Sequence, residues 1–355
     1  MKEGKALRAV ATEGAAAESL QVLNEPTRRQ AAKILDEGTA PNTRRAYRQD
    51  WAYFRAWHEA ALGEALAELP SSFTAVLTFV VQHVEGIPEE VERALIKAGV
   101  KASPGLPKLS TLARRLSSIS SAHRLAGIPD PDNPTKHPQV REVLRKARRR
   151  AAQRGERPAK KRAATKDVLE RLLGAVGDDL AGVRDEALLL FGWASGGRRR
   201  SEIAGAKVED LQEVEGGYLF HLGRSKTDPE GKGTVYPVLG RAGEALGRWL
   251  AELEAQGVKD GPLFRSVTRH GRLGGGLSGR SVARLVQRLA RRAGVANWKD
   301  FAAHSLRSGF ATETGRAGVT AAEGMRMTGH RSLSVFTGYH EAGAILNNPA
   351  ARLAD

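Results

Sequence analysis

Apolar positions in the first half of the chain recur at helical spacing. After Asn42, a residue suited to an N-cap, Tyr47, Trp51, Phe54 and Trp57 fall four, three and three apart and predict one helix with an aromatic core stripe rather than a nucleotide-stacking row. Arg44, Arg45 and Arg48 lie off that stripe. Ser72 opens a second helical pattern over 72–84, and others cover 89–98, 111–125 after Pro104 and Pro107, and the stretch following Pro138. Residues 40–153 therefore predict a small all-helical bundle.

A new pattern begins at Thr165, with helices expected over 165–176 and 181–195, the latter stopped by Gly196 and Gly197. The period then changes to two. Residues 218–225 and 234–238 alternate around a turn-rich DPEGKG, which predicts one β-hairpin inside an otherwise helical domain. A glycine-rich loop over 272–279 precedes a basic amphipathic helix over 280–292, and three short helical pieces close the chain. No internal repeat is present. The expected organisation is a tail over 1–25, a helical N-terminal domain over 26–153, a basic linker over 154–164 and a second domain over 165–355.

Composition narrows the partner. Lys and Arg number 56 against 40 Asp and Glu, a formal charge of +16 in 355 residues, and such an excess points to a polyanion, nucleic acid first. Over 141–165 there are eleven Lys or Arg against Glu142 and Glu156, with Lys160, Lys161 and Arg162 at the end of the run. A tether of this kind is either solvated linker or a strand of charge that lies along a duplex backbone while the flanking domains sit on opposite sides of it. The second reading makes the chain a clamp. The absence of cysteine excludes disulfides, thiolate zinc sites, iron–sulfur clusters and a cysteine nucleophile. The apolar run over 187–194 is far short of the ~20 residues of a membrane span, and 1–25 lacks the apolar core of a secretory signal, so a cytoplasmic protein is expected.

Three stretches carry chemistry. In HSLRSG, His304 and Arg307 are three apart and share a face at the start of a helix, where amide groups and a guanidinium can hold one anion. In TGHRSLSVFTGYH, a helix with a Thr320/Glu323 capping box ends at Gly329, leaving His330 at the turn and Tyr339 on the next helical piece beside Gly338, which loosens its backbone. In GGRRRSEI, a turn leads into a short helix on which at least one of Arg198, Arg199 and Arg200 should point inward. Taken singly, each has a bland alternative: solvent arginines, a turn lysine at Lys226, and Glu202 as an i,i+4 partner of Arg198. Tyr47, Tyr53, Tyr218, Tyr236 and His340 read as packing or surface.

Taken together and in order, Arg199 with Glu202, Lys226 in GRSKT, His304 with Arg307, His330 and Tyr339 resemble the catalytic set of the tyrosine recombinase, or phage integrase, family. Overall proportions are similar to those of its Cre-like site-specific recombinases. The resemblance implies a mainly α protein with a small β-hairpin or sheet: a two-domain, C-shaped DNA clamp with a helical core-binding domain and a catalytic domain. It further implies that Arg199 and Arg307 hold the non-bridging oxygens of a phosphodiester, and that Tyr339 attacks phosphorus to form a 3′-phosphotyrosine. His304 would accept its proton, Lys226 would protonate the departing 5′ oxygen, His330 would bond the phosphate or position the tyrosine, and Glu202 would support. No metal, other cofactor or ATP is implied.

The same resemblance places Arg280 and Arg284 on a groove-facing helix, Arg280 as a bidentate guanine contact, with Arg44, Arg45, Arg114 and Arg115 on groove-facing helices of the first domain; phosphate contacts are the alternative. The expected partners are double-stranded DNA with inverted-repeat sites and a homotetramer formed on it. The tail with Ala344, Ile345, Leu346 and Leu353 would dock in a neighbouring subunit or pack in its own domain. Two other outcomes are a telomere-resolvase or topoisomerase IB-like strand transferase and a non-catalytic architectural DNA-binding protein.

Overall fold

The computed structural model describes residues 26, 27, 30, 34, 38–66, 69–156, 162–223 and 233–345. The chain divides between Pro158 and Ala159 into two compact units.

Among the described residues the first unit is built on the α-helices α1 (Pro41–Leu62), α2 (Phe73–Glu85), α3 (Glu89–Lys97), α4 (Leu109–Leu125) and α5 (Pro138–Gln153). Helix α1 starts one residue before the expected cap. Pro41 occupies its first turn, where the missing N–H costs nothing, and Asn42 lies inside the helix. Ser72 does cap α2, accepting the Ala75 N–H at 3.0 Å. The core face of α1 is Tyr53, Phe54 and Trp57, all buried, while Tyr47 and Trp51 are only half-buried. Phe54 and Trp57 meet the Phe79 ring edge-on at 5.1 and 4.9 Å, so α1 and α2 interlock through aromatic rings. Tyr53, which reads as bland in the sequence, is bonded through Oη to His83 Nε2 at 2.8 Å.

The second unit surrounds α7 (Leu180–Ala194), whose Ala187, Leu188, Leu189, Leu190 and Phe191 are buried. Around it stand α6 (Lys166–Leu173), the short α8 (Arg200–Gly205), α9 (Arg241–Ala255), α10 (Gly279–Arg292), α11 (Ala303–Arg316), α12 (Ala321–Thr328) and α13 (Leu333–Ala344). The expected hairpin is part of a three-stranded antiparallel sheet, β1 (Leu211–Val214), β2 (Gly217–Leu222) and β3 (Thr234–Leu239), in which Phe220 pairs with Tyr236 and Leu222 with Thr234. The glycine-rich stretch over 272–279 is not all loop, because Leu273–Gly276 forms β5 against β4 (Arg265–Val267). Ser278 caps α10, and Thr320 with Glu323 forms the capping box of α12, which ends at Gly329 with φ 67°. Gly338 lies within α13, so the backbone beside Tyr339 is helical. Among the described residues no helix is long and apolar enough to cross a membrane.

Candidate active site

Among the described residues the site is assembled from four chain segments, and glycine decides how closely they approach. After α7 the chain reverses through Gly196 and Gly197, with φ of 97° and 68°. A side chain at either position would be strained, and it would also strike its neighbours: a Cβ on Gly197 would lie 2.4 Å from the Arg307 Cα. The turn therefore sits against the backbone of α11 and sends Arg198, Arg199 and Arg200 in three directions. Arg198 is buried, Arg199 is partly exposed and Arg200 is exposed.

Glu202 holds Arg199. One carboxylate oxygen accepts from Arg199 Nη1 at 2.5 Å and the other from the Arg199 N–H at 3.0 Å, so the side chain and the backbone are fixed together. Arg307 reaches back from α11 to donate to the Gly197 carbonyl at 3.1 Å, and its buried Nη2 has no hydrogen-bond partner. Burial, and then the charges of Arg199 and Arg198, lower the pKa of Arg307 to about 10, which leaves it cationic at neutral pH.

His304 and Tyr339 meet across α11 and α13, with Nε2 3.4 Å from the phenol oxygen. Burial, reinforced by Arg307 and Arg199, holds the His304 pKa below the usual imidazole value, which favours the neutral ring that can accept a proton. His330 follows Gly329, and its Nδ1 pairs with the Thr328 hydroxyl at 2.6 Å. Its pKa falls to about 4, by burial first and then by Arg307, Arg199, His304 and Arg198. The structure thus brings together Arg199, Glu202, His304, Arg307, His330 and Tyr339. Lys226 belongs to the connection between the paired Leu222 and Thr234 and lies outside the described residues.

The sequence profile of the phage integrase family matches residues 162–343, just over half of the chain. The chain belongs to the phage integrase family. Over 341 residues it is 31% identical to an integrase/recombinase xerD homologue of Selenomonas ruminantium, a match covering 92% of this chain and 89% of that one. The recombinase Cre of Escherichia phage P1 is 25% identical over 247 residues, 65% of this chain and 70% of Cre. Among solved structures, the Tn1549 transposon integrase in complex with transposon right end DNA superposes with a TM-score of 0.56 at 15% identity, covering 92% of this chain and 98% of that one. The phage integrase relatives identify this chain as a tyrosine recombinase, an enzyme of site-specific recombination.

Of the residues expected at a DNA surface in this recombinase, Arg45, Arg280 and Arg284 are exposed and Arg44 is half-buried. Arg114 is exposed but ion-paired to Asp50 at 2.5 Å. Arg115 turns inward: its guanidinium lies 3.3 Å over the Tyr53 ring, with Nε and Nη1 buried. That placement makes it a packing element of the first unit rather than an offered groove contact. Arg162 is exposed, and its backbone N–H donates to Asp300 at 3.1 Å; Lys160 and Lys161 lie outside the described residues. Two participants were not singled out from sequence. Arg198 is the arginine that points inward, and Tyr236, read as bland, is the ring beneath its guanidinium at 3.7 Å.

Proposed function

We propose that this recombinase cleaves and rejoins DNA through a covalent 3′-phosphotyrosine at Tyr339, exchanging strands between two inverted-repeat sites. The observation that carries the reading is the pairing of His304 Nε2 with the Tyr339 hydroxyl at 3.4 Å beside Arg307, whose buried Nη2 has no partner.

A phenol with a reference pKa of ~10 is a weak nucleophile at neutral pH and needs a base. His304, disposed to be neutral, takes the phenolic proton as Tyr339 Oη bonds to phosphorus. The bond from phosphorus to the 5′ oxygen breaks, and Lys226 protonates that oxygen. Arg199 and Arg307 neutralise the charge that grows on the non-bridging oxygens, and His330 donates to the same group as a neutral ring. Glu202 acts on Arg199 rather than on substrate. One phosphoester replaces another, so a 5′-hydroxyl from a second strand reverses the step without ATP.

On this reading both units and the basic stretch between them contact the duplex. The Arg280 and Arg284 face of α10, with Arg44, Arg45 and Arg162, supplies base or phosphate contacts. Four copies assemble on two sites; Leu346 and Leu353 of the tail, expected to dock in a neighbouring subunit or to pack in their own domain, lie outside the described residues. The test is covalent trapping on nicked inverted-repeat duplexes taken from DNA adjoining the gene. A detergent-resistant adduct that forms with the wild type in chelator and disappears in Tyr339→Phe is expected. Tight, salt-sensitive binding without an adduct would instead assign the chain to architectural DNA binding.

A further inference from the structure

The geometry points to Arg198 as a positioning residue for strand cleavage: a buried guanidinium that locks three separate segments of the catalytic site into one arrangement. The inference rests on the phosphotyrosine reading and extends it to a residue that does not touch the phosphate.

The side chain of Arg198 is 1% exposed, an expensive place for a cation. Its Nε is buried without a hydrogen-bond partner. Its nearest carboxylate, Glu202, stands 3.9 Å away and is already engaged by Arg199 at 2.5 Å. An apolar side chain of similar volume is often no less stable at such a site, so core stability alone does not account for an arginine.

Its contacts give the account. Nη2 donates to the Gly196 carbonyl at 3.4 Å, within the turn that delivers Arg199. The same nitrogen donates to the carbonyl of Met327, at the end of the helix whose next turn presents His330. The flat face of the guanidinium rests on Tyr236 of β3, the strand whose connection to β2 carries Lys226. Tyr236 in turn abuts the His330 turn, since a Cβ on Gly329 would lie 3.1 Å from its hydroxyl. One planar group with several donors thus joins the turn of Arg199, the turn of His330 and the hairpin of Lys226. Lysine could supply the charge but neither the plane nor the fork.

The experiment compares wild type, Arg198→Met and Arg198→Lys in the full chain, using the nicked duplex that traps the adduct. Melting temperature, duplex affinity, and the rate constant and amplitude of single-turnover adduct formation at saturating duplex are measured. The expected result for Arg198→Met is a rate constant at least tenfold lower with affinity, amplitude and melting temperature retained, and for Arg198→Lys a rate that stays depressed. A packing residue would lower melting temperature or amplitude and leave the rate constant of the folded fraction unchanged, and that result overturns the inference. Full restoration by lysine overturns it too, by showing that charge suffices. Should Arg198→Met not fold, Arg198→Lys decides alone on the same criterion. A wild type that forms no adduct overturns the parent reading, and this inference with it.

Discussion

Replacing Gly315 by alanine sets a methyl group where the backbone of the tyrosine-bearing helix already lies. A Cβ at Gly315 would stand 1.9 Å from the His340 carbonyl oxygen, and one at Gly343 would stand 1.9 Å from that of Thr312. Carbon and oxygen in ordinary contact keep ~3.3–3.6 Å, so α11 and α13 must part by roughly 1.4 Å or shift along one another. These helices carry His304 and Tyr339, whose 3.4 Å separation is already near the hydrogen-bond limit. Overpacking of this kind costs ~1–3 kcal/mol of stability, and a displacement of ~1 Å in a reacting pair costs ~100-fold in rate. Gly315→Ala is therefore expected to lower the single-turnover rate of adduct formation by ~100-fold while the folded protein still binds duplex. Gly338→Ala is the matched control: it adjoins Tyr339, its Cβ would meet nothing within 4 Å, and it should stabilise α13 by ~0.5–1 kcal/mol. A Gly315→Ala protein with wild-type rate and melting temperature would refute the argument that backbone contact sets the position of the tyrosine.

Asp185 is buried between Arg184 at 2.8 Å and Arg288 at 2.5 Å, so Asp185→Ala, which strands the buried Arg184, should cost ~3–5 kcal/mol in a denaturant titration. His83 is buried with its pKa lowered to about 4 by burial, so between pH ~6.5 and ~4 the unfolded chain binds a proton that the folded chain does not, and stability falls as pH falls through that window. The loss is up to ~3 kcal/mol, and His83→Gln should flatten the dependence of the urea midpoint on pH; an unchanged slope would count against it. Arg284→Ala should reduce the salt dependence of duplex affinity by about one phosphate contact, whereas Arg115→Ala should lower melting temperature more than affinity, because its guanidinium is spent on Tyr53.

The sequence patterns that proved legible are those whose cause is local. Ser72 and Thr320 cap helices because a hydroxyl reaches an amide three residues on. His304 and Arg307 share a face because the helix repeat puts them there. Where partners lie far along the chain, the reading stops short. The glycines of β5 look like loop because pairing with Arg265 and Val267 supplies what their own side chains do not. Arg115 reads as a groove contact, and the inward arginine is not told apart among Arg198, Arg199 and Arg200, since a charged side chain is normally solvated; yet Arg115 and Arg198 each lie on a tyrosine brought from elsewhere in the fold, Tyr53 or Tyr236. Gly338 looks like a loosened joint, but α13 runs straight through it, held by the close approach at Gly315 and Gly343.

The electrostatics and the packing of the site express one constraint. Burial first, and then the charges of Arg199 and Arg198, lower the pKa of Arg307 to about 10, and burial followed by Arg307, Arg199, His304 and Arg198 lowers that of His330 to about 4. The carboxylate in contact with these arginines is Glu202, and its oxygens are taken up by Arg199 and the Arg199 backbone. A protein selected only for stability would not gather these charges around a buried donor of Arg307 that has no partner. On the proposed mechanism, an anion placed among the arginines offsets their mutual repulsion. On the same proposal the offset grows with that anion's charge, which is the condition for binding a transition state better than a ground state. The glycines at 196, 197, 315 and 343 serve the same end, because only backbone packed against backbone leaves these donors so little freedom to relax away from one another.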